Sequence, residues 1–268
     1  DLGVPADSVA AALDGFTLTK AKMENENRVV WRPKQENRAY RRAFFEFPHP
    51  SGPQLIWSKE MAIESRRKLV SEVVFKKIPR EWESKGVKRA VEQVSNAGGK
   101  WFESVCIANL GRLGFGGTKS YKNGIGLGAV RLPIPRDVGE LDCLGYSQGQ
   151  ELLLVAECKL VRSGSEPAFF RDDISKFVAS SRSYADQLRQ KAEWVRNNCD
   201  AVCRAMESEK GNPAAIRPRR IAHVVTTFFP SIVTHMIQDF PCVSITELMT
   251  AHEAARAWPY RVGICDLP

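Results

Sequence analysis

The sequence predicts an α/β protein, a mixed sheet flanked by helices and preceded by a smaller α+β accessory region. Three observations carry that prediction. Segments of strand character and segments of helical periodicity alternate along the chain, as in a sheet covered by helices. The run Leu152-Leu153-Leu154-Val155-Ala156 is apolar at every position, so both of its faces are buried, as in a strand with helices on either side. Charge appears only at its end, in Glu157-Cys158-Lys159, and a buried strand with a charged end is a common layout of a site in such a sheet.

Composition sets the bounds. The 268 residues hold one large domain, or one domain and an accessory region, with 43% hydrophobic and 26% charged residues. No apolar run approaches the ~20 residues of a membrane helix, so no membrane partner is expected, and no secretory signal is visible. The first residue is Asp1 rather than Met, which leads us to expect a piece of a larger protein, with further domains or subunits as partners. Seven cysteines form no Cys-x-x-Cys pair and no disulfide framework, so reduced thiols and a cytoplasmic setting are expected. Cys199 and Cys203 lie four apart on a predicted helix with no nearby histidine, which reads as packing rather than a zinc site. The net charge is +8; residues 1–100 hold 19 basic against 13 acidic residues, an excess of +6, which favours a polyanionic partner.

The elements follow in order. Residues 1–20 read as an irregular or helical lead-in. Arg28–Trp31, Ala43–Phe47 and Gln54–Trp57 read as short strands, with Pro48, Pro50, Gly52 and Pro53 breaking the chain between the last two. Ser58 is placed to cap a helix starting at Lys59, and Pro79 to end or bend it. This accessory region, residues 1–85, mixes arginines with aromatics: Trp31, Arg32, Tyr40, Arg41, Arg42, Phe44 and Phe45. Such a mixture stacks and clamps a nucleic-acid strand, with Arg41 and Arg42 as candidate contacts, or it forms a small core with a basic edge.

Residues 86–268 form the second predicted domain. Val87 to about Leu113 is helical, with an apolar stripe through Val91, Val94, Phe102, Val105 and Leu110, and Gly98-Gly99 is expected to divide it into two helices. Glu103 lies on the edge of that stripe. The stretch Gly111–Ser120 has two glycines at phosphate-loop spacing, but Gly117 stands where the lysine belongs and no strand precedes it, so nucleotide binding is rejected. It reads as a flexible loop whose Lys119, with Lys122 beyond it, can meet a phosphate backbone. Residues 127–132, 139–145 and 151–159 are expected as strands. Arg171-Asp172-Asp173 opens a long helix to Asn197, with its apolar stripe through Ile174, Phe177, Val178, Ala185, Leu188, Ala192 and Val195. Tyr184, Gln187 and Lys191 lie on a flank of that stripe. Past a polar loop with Pro213 and Pro218, Ile221–Phe229 is a buried strand containing His223, read as a core histidine, and a last helix is expected near 247–257.

The acidic residues are brought together by a hairpin. With a two-residue type II′ turn at Gly149-Gln150, Gln148 faces Glu151, and Asp142 then lies directly opposite Glu157. Opposed residues share a face with Cβ atoms ~5 Å apart. Lys159 shares that face by the two-residue period. Two opposed carboxylates repel unless one is protonated or a cation lies between them, and a hard divalent ion suits such oxygen donors. The alternative is an inward salt bridge of Lys159 with no metal.

Asp142 followed by Glu157-Cys158-Lys159 resembles the motif of the PD-(D/E)xK nuclease superfamily, the restriction-endonuclease-like fold, over roughly residues 86–230. Leu141 replaces the usual proline before the first acid. The resemblance implies that Asp142 and Glu157 bind Mg²⁺ or Mn²⁺, with the Cys158 carbonyl as a third ligand, and that Lys159 orients or activates the attacking water. It implies that Glu103, on the preceding helix, completes the metal shell or helps hold a second ion. It also implies that a Gln, Lys or Tyr of the following helix points into the site, here Gln187 as a catalytic residue and Tyr184 as a nucleic-acid contact. The implied function is metal-dependent hydrolysis of phosphodiester bonds in nucleic acid, DNA and endonuclease action favoured, in a bacterial defence or repair protein. The alternative is a catalytically silent nuclease-like module that binds nucleic acid or docks in an assembly.

Overall fold

A computed structural model describes residues 4–26, 40–162, 167–209, 212 and 215–267. The expected strand Arg28–Trp31, with Arg32, lies outside the described residues, as does Pro213. The chain divides into two compact units, Asp1–Gly98 and Gly99–Pro268, later than the boundary at 85/86 expected from sequence.

The first unit contains helix α1 (Ala6–Phe16), strand β1 (Thr17–Leu18), helix α2 (Lys20–Glu26), strands β2 (Phe44–Phe47) and β3 (Gln54–Trp57), and helix α3 (Lys59–Glu72). β2 pairs parallel with β1 and antiparallel with β3, where Phe44 faces Trp57. Ser58 caps α3 as its position predicts, its hydroxyl accepting from the Met61 amide at 3.1 Å. Arg41 and Arg42 do not present themselves to a phosphate backbone. Arg42 is 2% exposed and donates to the carbonyls of Gly15 at 3.0 Å and Thr17 at 3.3 Å and to Glu81 at 3.1 Å. Arg41 pairs with the buried Glu72 at 2.6 Å. Through Arg42, the main-chain carbonyls of α1 and β1 are tied to Glu81. The aromatic–arginine mixture is, at these positions, an internal network.

Helix α4 (Lys85–Arg112) runs through Gly98-Gly99 without a break. Two glycines weaken a helix by about 1 kcal/mol each relative to alanine. Burial of Phe102, Cys106 and Leu110, just beyond them, outweighs that loss.

The second unit is built on a six-stranded mixed sheet. Its strands are β4 (Gly116–Tyr121), β7 (Leu141–Ser147), β8 (Leu152–Lys159), β9 (Arg220–Thr227), β10 (Cys242–Ser244) and β11 (Ile264–Asp266). The order is β10-β9-β8-β7-β4; β7 runs antiparallel to both of its neighbours, β4 and β8, while β8, β9 and β10 run parallel. β11 pairs antiparallel with the opposite end of the β9 edge that β10 occupies. Helices α5 (Pro167–Ile174), α6 (Tyr184–Asn197) and α7 (Cys199–Glu207) lie between β8 and β9 in the chain, and α8 (Ile245–Ala255) follows β10. On one face, Leu144, Tyr146, Leu153 and Val155 pack with Leu188 and Val195 of α6 and Val202 and Met206 of α7. On the other, Cys143, Leu152, Leu154 and Ala156 pack with Phe102, Cys106 and Leu110 of α4 and Leu248 of α8. β8 is therefore buried on both faces, as its unbroken apolar run predicts. The α/β class holds, with helices on both sides of a mixed sheet. Among the described residues no helix is long and apolar enough to cross a membrane.

Three elements differ from expectation. The glycine-rich stretch read as a loop contains β4, an edge strand with two register shifts against β7. Glycines hide it from a propensity reading, and Thr118 and Tyr121, which turn inward, are its only strand-like signals. Residues 127–132 contribute no strand to this sheet. They form a 3-10 turn at Gly128–Val130 and enter β6 (Leu132–Pro133), which pairs only with β5 (Gly124–Ile125). The helix expected over 171–197 is two helices. A π-helical turn at Ser175–Ala179 leads into a tight turn closed by the Ser183 amide on the Ser180 carbonyl at 3.1 Å, and Ser183 then starts α6 by accepting from the Asp186 amide at 3.1 Å. Serines compete for backbone groups and favour caps over helix interiors, which the periodicity of the apolar residues conceals.

Replacing Arg42 with alanine removes one partner of Glu81, which keeps Lys22, and the shared partner of three main-chain carbonyls at once. The expected loss of stability is on the order of 3 kcal/mol, read from the urea midpoint of the first unit's unfolding. A midpoint unchanged in Arg42→Ala would show that these contacts carry no net stabilisation.

Candidate active site

The site begins at the β7–β8 connection. No two-residue type II′ turn forms there. A 3-10 turn spans Gln148–Gln150, and Glu151 adopts the left-handed conformation at φ 47°. The loop is longer by one residue on each side than the turn expected from sequence, so the register is the same: Ser147 faces Leu152 and Cys143 faces Ala156. One more step along both strands brings Asp142 opposite Glu157. Both side chains point to the face covered by α6, together with Lys159.

Two ammonium groups fill the space between the carboxylates. Lys159 Nζ lies 2.6 Å from Glu157 Oε1 and 3.6 Å from Asp142 Oδ2. Lys191 Nζ, from α6, donates to Glu157 Oε2 and lies 3.6 Å from Asp142 Oδ1. Each of the four carboxylate oxygens thus faces an ammonium. Asp142 Oδ2 also accepts from the Cys158 amide at 2.8 Å, which fixes its orientation. Glu157 is 0% exposed, Asp142 6% and Lys191 5%. Lys159 is less enclosed, and its ammonium lies 4.8 Å from the centre of the Tyr184 ring.

The electrostatics follow from burial and these neighbours. Burial pushes the Glu157 carboxyl above its ordinary range; the two lysines pull it back and Asp142 pushes it further up. Burial works against charge on Lys159, yet Glu157 and Asp142 outweigh it and hold the ammonium above its ordinary value. Lys159 therefore stays charged at neutral pH and is no proton acceptor. Glu103 lines the same cleft from α4. Burial, then Asp142 and Glu140, raise its carboxyl to about 7.

The cleft has a volume of about 630 Å³ and opens at the charged end of β8. Glu103, Asp142, Glu157, Lys159, Gln187 and Lys191 all line it, as do Arg136 and Arg182. Neither Arg136 nor Arg182 forms an ion pair among the described residues. Gln187 reaches the cleft wall, but its amide donates to the Arg182 carbonyl at 2.9 Å. Lys191, one turn further along α6, is the side chain of that helix that meets the carboxylates. The sequence reading sets Lys191 on a flank of the apolar stripe and selects Gln187 instead; the signal it passes over is that Leu188, Lys191 and Val195 are spaced by three and four, which sets a lysine among buried positions. Lys119 and Lys122 do not line the cleft. Lys119 pairs with Glu209 at 3.0 Å, and Lys122 is exposed beyond the end of β4. The Cys158 thiol lies on the opposite face of the sheet, 3.5 Å from the Cys143 sulfur, which leaves only its carbonyl as a donor toward the site.

The donor set suits a hard divalent ion: two carboxylates on one face, a third in the same cleft, and the main-chain carbonyl of the residue after Glu157. Glu157 Oε1 also remains a buried oxygen without an aligned hydrogen bond, despite the close approach of Lys159. Among the described residues, however, no three His, Cys, Asp or Glu side chains form a group that could hold one ion, so Glu103 stands back from the pair. No family model, curated protein or solved structure matches the chain at a significant level.

Glu103 makes stability depend on pH. Its folded-state value of about 7 exceeds the ordinary 4.5, so between these values the folded state binds more protons than the unfolded one. Stability on its account is full below that window and falls as pH rises through it. In Glu103→Gln, without divalent ions, the fall in melting temperature over this range should be shallower. A pH profile parallel to that of the parent would assign Glu103 an ordinary pKa.

Proposed function

We propose that the protein is a divalent-metal-dependent phosphodiesterase acting on nucleic acid, DNA favoured, with a restriction-endonuclease-like second unit. One observation carries this reading: Asp142 and Glu157 present opposed carboxylates, with Lys159 on the same face, at the open end of a buried strand. A helix bearing Glu103 precedes this hairpin and a helix reaching the site follows it, the context that the motif requires. A Mg²⁺ or Mn²⁺ ion would be held by Asp142 and Glu157 with the Cys158 carbonyl as a further donor, with Glu103 set back in the same cleft, and would polarise the scissile phosphate and lower the pKa of water.

The chain's own groups do the rest. Lys159, held as an ammonium, steadies negative charge at the reacting phosphate and orients water without taking its proton. Tyr184 packs against that ammonium and limits where it can point. Arg136 and Arg182, which form no ion pair among the described residues, leave two cations at the cleft wall for neighbouring phosphates.

A second reading keeps the fold and drops the chemistry. The two lysines already neutralise the two buried carboxylates, so the hairpin holds together without a metal, as a binding or docking module would require. Incubation with plasmid, linear duplex, single-stranded DNA and RNA, in Mg²⁺, Mn²⁺ or EDTA, separates the two. Metal-dependent cleavage is expected, reduced at least ~10²–10³-fold in Asp142→Asn and in folded Lys159→Ala. Failure of the parent protein to cut any of these substrates with either ion would favour the silent module.

A further inference from the structure

We propose that Lys191 is a resident counter-ion of the cation site: it fills the site in the metal-free protein, and a divalent ion enters by displacing its ammonium. The inference rests on the metal-dependent reading above and adds how that site is kept before the ion arrives. All four oxygens of Asp142 and Glu157 face an ammonium. An ion coordinated by both carboxylates needs oxygens that these ammonium groups now hold, and its double charge repels both of them at close range.

The two lysines are not equivalent. Lys159 sits on the central strand, and its ammonium also lies over the Tyr184 ring at 4.8 Å. Lys191 reaches in from α6 on a four-carbon stem, and among the described residues its ammonium touches only the two carboxylates. The adjoining cleft, about 630 Å³, gives that ammonium room to swing out without unfolding the helix. Lys191 is therefore the group that yields. Until then it does necessary work, because Glu157 is 0% exposed and its opposed neighbour carries the same charge. The chain keeps its acidic hairpin folded at the expense of affinity for the ion. Once displaced, the ammonium remains in the cleft as a positive group facing the substrate phosphate.

The test is calorimetric titration of Mn²⁺ into the full chain, its Lys191→Met and Lys191→Gln variants, and Asp142→Asn. Without metal the Lys191 variants should melt below the parent. With Mn²⁺ they should bind about tenfold tighter or more and gain more in melting temperature than the parent does. Mn²⁺ binding by the parent that is equalled or weakened in both variants would overturn the role of Lys191 and leave the metal reading standing. Failure of the parent and the variants alike to bind Mn²⁺, or binding unaffected by Asp142→Asn, would remove the metal reading and this inference with it. A measurement on the parent alone covers the case in which both variants fail to fold. Reductive methylation of Lys191, followed by mass spectrometry, should increase several-fold when Mn²⁺ is added, and an unchanged yield overturns the proposal.

Discussion

Two like charges cannot face each other across a buried hairpin without positive charge between them. The opposition of Asp142 and Glu157 imposes this on the second unit, and much of the local architecture answers to it. Lys159 must share their face, which ties the strand register to the charge balance. A second cation must come from the layer above, which ties α6 to the strands. A slip of one residue in β7–β8 pairing would send Asp142 to the face lined by Cys143 and Ala156, where no charge awaits it. The apolar run of β8 and the ion pairs at its end thus enforce the same register from opposite ends of the strand.

The parts of the fold that were legible in sequence are those where one local rule acts alone. β8 was legible because every position is apolar. The start of α3 was legible because Ser58 caps it. The Asp142–Glu157 pairing was legible even though the turn was not, since the observed loop takes one residue from the end of each strand and leaves the partner relationship unchanged. Elements set by long-range contacts were harder to read. β4 has a glycine-rich sequence and is a strand because β7 offers it a ladder. The division between α5 and α6 is hidden because the apolar spacing continues across it. Arg41 and Arg42 looked like surface charge because nothing local announces Glu72 and Glu81 as their partners.

The site shows the same division. The motif residues share a face for reasons internal to one hairpin, so their neighbourhood was readable from the chain alone. Lys191 required the tertiary packing of α6 on the sheet. A lysine among buried helical positions is costly unless paired, and that cost was the available signal. Gln187 and Lys191 lie on the same helix one turn apart, yet only Lys191 meets the carboxylates, because Gln187 is held by a carbonyl at the start of the helix. One turn of a helix separates a group on the cleft wall from one at its charged centre.

The margins of the sheet carry a consequence of their own. On one side, β9 leaves no long unpaired edge: β10 and β11, each three residues long, cover its two ends from opposite directions. On the other, the pairing of β4 with β7 shifts register twice. Short, divided or irregular margins are poor templates for strand addition by another chain. A unit whose centre is a bare apolar strand is thereby protected from self-association through its own backbone. That leaves the side chains at the ends of the strands, rather than main-chain hydrogen-bonding groups, as what the sheet presents outward.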